Sequence, residues 1–206
     1  MELDSRADTC AFGKDCLIVH DTGARVSVEP FIQSIGSVPK VPIVTVAVAY
    51  DDPTTSHAHV MFFHQVLHMP NMDTHLVSPF QLRDHGVLVN DVPLLHVDPD
   101  NRNDSHHTIY IPTADVTLPL SLRGTMSGLT VRKPTWTEVN DVQQHDVTHL
   151  QMTLDAIWDP NDPDCHHQET ALCAAVLDPC TIPSCHVHST QVGDNVQEPD
   201  PLLLLM

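Results

Sequence analysis

Apolar and polar residues alternate along most of the first two thirds of the chain, a pattern typical of half-buried β-strands. The clearest strands are 41–50, VPIVTVAVAY, and 58–69, AHVMFFHQVLHM. The polar stretch DDPTTSH lies between them, so residues 41–69 are predicted to form one long hairpin with a polar tip. Segment 17–28, LIVHDTGARVSV, has the same pattern on both sides of Asp-Thr-Gly. It predicts a second hairpin, with Gly23 supplying the unusual backbone angles of the turn.

Two short segments have helix signals instead. Ser78 before Pro79, with Gly86 a few residues later, predicts a short helix that starts at the proline and stops before the glycine. Thr135 and Glu138 have the spacing of a capping box, which predicts a helix over about 136–145. Further short strands are predicted at 87–92, 108–112, 115–122, 127–134 and 148–154.

These elements divide the chain into three parts. Residues 1–134 are read as a mainly β domain, and 135–160 as a helix–strand extension. Residues 161–206 are dominated by Pro, Asp, His and Cys without periodicity, and they are predicted to be an irregular acidic tail. Only 4% of the residues are aromatic, so the core must consist mainly of Val, Leu, Ile and Met.

The charge of the chain excludes several kinds of partner. Nine Lys and Arg against 27 Asp and Glu give a net charge of −18. Such a chain repels nucleic-acid phosphates and anionic membrane surfaces, so neither is expected to bind directly. We see no secretory signal and no apolar run long enough to span a membrane. A cytoplasmic location with reduced thiols is therefore expected.

Two aspartates are candidates for catalysis. Asp21 stands in Asp-Thr-Gly, the triplet in which aspartic proteases hold a carboxylate on a tight turn. Asp and Gly are also ordinary turn residues, and this interpretation is favoured for Asp21. Asp4 stands in the looser phrase ELDSRADTC, followed by Ser5, whose hydroxyl can take the place of the threonine. A chain of this length offers one such carboxylate, so a proton-sharing pair would need a second copy of the chain.

The order of several segments connects Asp4 to a known family. VLHMP at 66–70, HLVSPFQL at 75–82 and Gly86 follow one another in this chain, and IWDP stands at 157–160. Together with ELDSRADTC, these segments resemble the protease domain of Copia-type retrotransposon polyproteins. There a VLYVP-like strand leads to NLLSVSQL and then to a glycine that ends a short helix. The matches cover about residues 1–160.

This resemblance implies a retropepsin-like small barrel and an aspartic endopeptidase that cleaves its own polyprotein. It assigns Asp4 and Ser5 to the catalytic loop, and it places Asp21 at a non-catalytic turn. It implies a homodimer in which each chain contributes one Asp4, with no metal and no cofactor. The hairpin tip falls where the family has its substrate-covering flap, which comprises Asp51, Asp52, Pro53, Thr54, Thr55 and Ser56.

An alternative remains open, in which the chain is a catalytically inactive retroelement-derived β-domain with a structural or interaction role. Arg6 stands where the family has a glycine, and the tip 51–56 has no glycine. The chain also begins three residues before Asp4, where the family has a preceding strand.

The histidines and cysteines near the end of the chain do not predict a metal site. They include Cys165, Cys173, Cys180 and Cys185, but no Cys-x-x-Cys pair of the kind that holds structural zinc. The histidines of segment 57–68 have no carboxylate at motif spacing and are interpreted as solvated.

Overall fold

The computed structural model describes residues 1–29, 36–140, 146–163, 167–168, 170 and 172–173. The chain divides into two compact units, Met1–Pro160 and Asn161–Met206. In the second unit, the described residues 163, 167–168, 170 and 172–173 have helical backbone. Most of the tail that was predicted to be irregular lies outside the described part.

The first unit is mainly β. Its described residues form twelve strands, two short α-helices and two 3-10 turns. The strands are β1 (Glu2–Leu3), β2 (Ala11–Phe12), β3 (Leu17–Val28), β4 (Val38–Asp51), β5 (Ala58–His68), β6 (Leu76–Val77), β7 (Leu88–Asn90), β8 (Thr108–Ile111), β9 (Val116–Pro119), β10 (Ser121–Arg123), β11 (Met126–Gly128) and β12 (Val147–Gln151). The helices are α1 (Pro79–Asp84) and α2 (Trp136–Asn140), and the 3-10 turns are Leu94–His96 and Pro99–Asn101.

The strands form a large sheet in the order β10-β11-β1-β6-β2-β5-β4-β3, with β12 added to β5, and a small sheet β7-β8-β9. The chain that follows β11 links two strands of the large sheet. Leu129 donates its N–H to the carbonyl of Met1 at 2.9 Å, and Arg132 and Ala49 exchange backbone hydrogen bonds of 2.9 and 2.8 Å. This short stretch therefore connects the start of β1 to β4.

The larger of two buried hydrophobic clusters joins the large sheet to the small sheet. It contains Phe12 and Phe63, whose ring centroids are 4.8 Å apart, and Val, Leu and Met side chains from β4, β5 and β12. Ile109, Ile111 and Leu118 of the small sheet belong to the same core. The prediction of an aliphatic core with few aromatics is confirmed.

The long hairpin and the first helix have the predicted form. β4 and β5 pair as antiparallel strands around the turn at 52–57. Helix α1 begins at Pro79, the Ser78 hydroxyl accepts the N–H of Gln81, and Gly86 follows the helix with a φ of +79°. Helix α2 begins after Thr135, whose hydroxyl accepts the N–H of Glu138 at 3.2 Å as the capping box predicts. Residues 141–145 of its predicted extent lie outside the described part.

The predicted hairpin at 17–28 is wrong, because this segment is one strand, β3, paired along its length with β4. The register shifts between Asp21 and Arg25, which marks a bulge, and Gly23 within it has a φ of +82°. The turn-like residues therefore bend an edge strand and do not reverse it. β12 of the predicted extension runs parallel to β5 and belongs to the main sheet.

Candidate functional site

Asp4 lies on a tight turn directly after β1. Its N–H donates to the Val77 carbonyl at 3.0 Å, which ties the turn to β6. The carboxylate oxygen Oδ1 of Asp4 accepts the N–H of Arg6 at 2.9 Å, and the Asp4 carbonyl accepts the N–H of Ala7 at 3.2 Å. The Arg6 N–H thus orients the carboxylate, and the two backbone bonds hold the turn around this half-buried residue.

Strand β6 and helix α1 hold the Asp4 turn in position. β1 and β6 are parallel, with Leu3 opposite Val77. Gln81 of α1 is 2% exposed, and its side chain accepts the N–H of Cys10 at 2.9 Å and donates to the carbonyl of Gln65 at 3.2 Å. A buried amide that connects three segments holds the Cys10 end of the loop after Asp4 in place. Sequence reasoning missed Gln81, although a polar residue between apolar neighbours in a short helix was a usable signal.

The Asp4 turn borders a cavity of about 350 Å³. Its walls are residues 3–6, Asp91, Pro93 and residues 125–127. β1 and β11 are paired only at Glu2 and Gly128, and the cavity lies beyond this pair, between the Asp4 turn and the other end of β11. Ser5, the second predicted catalytic residue, is exposed and lines the same cavity.

Asp21 has a local geometry similar to that of Asp4 but a different environment. Its Oδ1 accepts the N–H of Gly23 at 2.9 Å, also two residues along the chain. Both of its oxygens accept hydrogen bonds from the Arg25 guanidinium, at 2.8 and 2.9 Å, and its side chain is 48% exposed. The Arg25 hydrogen bonds, and then the Gly23 N–H, lower the pKa of Asp21. A surface carboxylate paired with arginine is poorly suited to share a proton with a second carboxylate.

The predicted flap, residues 51–56, is a closely hydrogen-bonded hairpin tip. Asp52 accepts both the N–H and the hydroxyl of Thr54 at 2.7 Å, and these bonds lower its pKa to about 2. Asp51 accepts two hydrogen bonds from Arg132, at 2.7 and 2.8 Å. Asp51 and Pro53 line a cavity of about 490 Å³ together with residues 119–121 and 129–132. The predicted catalytic loop and the predicted flap thus border two different cavities.

The Asp4 cavity includes residues that the sequence did not suggest. At its wall, the Ser127 hydroxyl lies 3.0 Å from Nε2 of the buried His107 and donates to the Asp91 carbonyl at 3.2 Å. Burial lowers the pKa of His107, and its φ of +54° is uncommon for a residue with a side chain. No linear motif announced these contacts, because they join segments 20 and 36 residues apart.

Among the described residues, no group of three or more His, Cys, Asp or Glu side chains is placed to hold a metal ion. Burial raises the pKa of the Cys10 thiol to about 12 and that of Cys16 to about 11. Cys173 is exposed, and Cys165, Cys180 and Cys185 lie outside the described part. No helix within the described ranges is both long enough and apolar enough to cross a membrane.

Comparisons with protein-family models, with curated proteins and with solved structures found no match for this chain.

Proposed function

We propose that the chain is an aspartic endopeptidase domain of a Copia-like retrotransposon polyprotein, with Asp4 as the catalytic carboxylate. The observation that carries the proposal is the position of Asp4: on a tight turn at the mouth of a cavity, with its carboxylate oriented by the Arg6 N–H. The support of this turn by β6 and α1 agrees with the order of segments on which the resemblance rests.

The second carboxylate of the pair is Asp4 of a second copy of the chain. Asp91 lines the same cavity, but its carboxylate forms an ion pair with the Arg83 guanidinium at 3.7 Å. In the dimer, two Asp4 carboxylates share one proton, activate a water and protonate the leaving amine of the substrate. The substrate is an extended peptide of the chain's own polyprotein, and the reaction takes place in the cytoplasm without a metal or cofactor.

The test is cleavage of a mixed peptide library between pH 4 and 7 by the wild-type chain, Asp4→Asn and Asp21→Asn. Asp21→Asn is a matched control, because both aspartates accept the N–H of the residue two positions later. We expect cleavage in the acidic part of this range that is lost with Asp4→Asn and kept with Asp21→Asn. Loss only with Asp21→Asn would assign the site to the other triplet, and no cleavage by a folded dimer would refute catalysis.

A second candidate function is that of a non-catalytic interaction domain, and Arg6 favours it. Arg6 replaces the family's glycine, and its side chain is part of the wall of the Asp4 cavity. An arginine at this position reduces the space in which a partner loop can approach. Arg6→Gly separates the two candidates: cleavage that appears only in this variant identifies the natural chain as inactive, whereas equal cleavage in both identifies it as an enzyme.

A further inference from the structure

The β10–β11 hairpin, residues 121–128, borders the Asp4 cavity through residues 125–127. It has a two-residue turn, because Arg123 pairs with Met126. Gly124 in this turn has a φ of +64°, and an added Cβ there would meet nothing within 4 Å. Residues 121–126 are all exposed. The hairpin therefore has the glycine and the open surroundings that a covering element needs.

Met126 and Asp4 line the same cavity. β11 runs antiparallel to β1 with Gly128 opposite Glu2, and beyond this pair the Asp4 turn and Met126 lie on two sides of the cavity. Met126 is 38% exposed. A peptide bound in this cavity beside Asp4 therefore has the Met126 side chain within its surroundings.

The predicted flap is less suited to this task. Asp51 is held by Arg132, which also contacts Glu138 of α2, and Asp52 accepts two bonds from Thr54. These contacts restrain the tip, which borders the other cavity. The β10–β11 hairpin is held at its base by the Glu2–Gly128 pair and by the Ser127 hydroxyl, and its residues 125–127 line the Asp4 cavity.

We propose that residues 121–128, and not the tip 51–56, cover a peptide bound at Asp4, and that Met126 is the side chain that contacts it. This inference rests on the proposed endopeptidase function and changes which segment of the chain would move on binding. It also explains how a chain without glycine at 51–56 could close over a substrate.

The test uses photo-crosslinking on the full chain. Met126 and, as a matched control, the exposed Thr54 are each replaced with p-benzoylphenylalanine in an otherwise unchanged chain. The probe is a biotinylated statine-containing peptide, which imitates the tetrahedral state of peptide hydrolysis. Circular dichroism checks that both variants fold. In parallel, KM and kcat are measured for Met126→Ala and Thr54→Ala on a peptide identified in the library.

We expect labelling from position 126 and none from position 54, with unlabelled probe abolishing the label. Met126→Ala should raise KM roughly tenfold with little change in kcat, the effect of losing an apolar contact made equally in the ground and transition states. Labelling from position 54 alone would overturn the inference, and so would labelling from neither position.

The peptide-library assay keeps the two proposals distinguishable. Asp4-dependent cleavage with labelling only from position 54 leaves the endopeptidase in place and removes the covering hairpin. Labelling from position 126 without any Asp4-dependent cleavage supports a peptide-binding cavity covered by residues 121–128. The same result refutes catalysis at Asp4.

Discussion

Arg132 connects two parts of the chain that lie far apart in sequence, and removing one of its partners should have a measurable cost. Its guanidinium binds both oxygens of Asp51 at the hairpin tip and both oxygens of Glu138 in the first turn of α2. Glu138 also accepts the N–H and the hydroxyl of Thr135. The perturbation that we choose is Glu138→Gln, because glutamine keeps the length and one oxygen for the capping box.

The magnitude follows from the pKa of Glu138. The Arg132 hydrogen bonds, against a smaller cost of burial, lower this pKa from 4.5 to about 2. At about 1.4 kcal/mol for each pKa unit, this corresponds to at most ~3.5 kcal/mol of stability. The Arg132 side chain is 40% exposed, so solvent screens part of the attraction. We expect Glu138→Gln to lower the free energy of unfolding by ~1.5 kcal/mol at pH 7.

The sign of the pH dependence is fixed by the same values. A carboxyl with a depressed pKa in the folded chain stabilises it above the unfolded pKa of about 4.5 and loses this effect as the pH falls towards 2. The difference between wild type and Glu138→Gln should therefore shrink below pH 4.5.

The assay is urea unfolding followed by circular dichroism at pH 7 and again at pH 3. An equal loss at both pH values would mean that packing, not charge, is responsible. No loss at pH 7 would refute the reasoning altogether.

Three further outcomes are expected. Leu82→Ala removes a fully buried side chain of α1 and should lower the free energy of unfolding in urea by about 3 kcal/mol. A decrease below 1 kcal/mol would show that α1 does not anchor the core. Gly13→Ala would place a Cβ 2.1 Å from the Met72 carbonyl oxygen. It should destabilise the chain far more than Gly23→Ala, whose Cβ meets open space and whose only cost is the φ of +82°. Equal melting temperatures of the two variants would contradict this. Burial, and then the positive amino terminus, lower the pKa of His75 from 6.5 to about 4. As the pH drops from 6.5 to 4, His75 therefore binds a proton in the unfolded chain but not in the folded chain, and the free energy of unfolding should fall. His75→Gln should flatten that slope in unfolding curves, and an unchanged slope would assign it to other groups.

The two aspartate triplets show which structural features can be predicted from neighbouring residues alone. Both Asp4 and Asp21 accept the N–H of the residue two positions later, at 2.9 Å in each case. This geometry is local and follows from the residue types. What differs is the environment: Arg25, four residues from Asp21, pairs with it at the surface, while a hairpin more than 120 residues from Asp4 lines the cavity beside it. The first difference was readable in the sequence, and the second was not.

The strands and helices with strong local signals were predictable for the same reason. The alternation in 41–69 specified a hairpin, and Ser78 with Pro79 specified the start of α1, because both depend on neighbours within a few residues. The prediction at 17–28 was wrong because residues distant in sequence determine the structure of this segment. Asp-Thr-Gly can form either a turn or a β-bulge, and the pairing of β3 with β4 selects the bulge.

The sequence by itself determined a mainly β chain, its aliphatic core, its capping residues and two aspartates that each accept the N–H of the residue two positions later. The tertiary structure alone decided that the stretch after β11 bonds to Met1 and Ala49, and that residues 125–127, not 51–56, border the Asp4 cavity. The physical reason is that hydrogen bonds between strands do not depend on side-chain identity, so many pairings suit one pattern of alternation. Only the packing of the whole core selects one of them, and that selection determines which side chains surround Asp4.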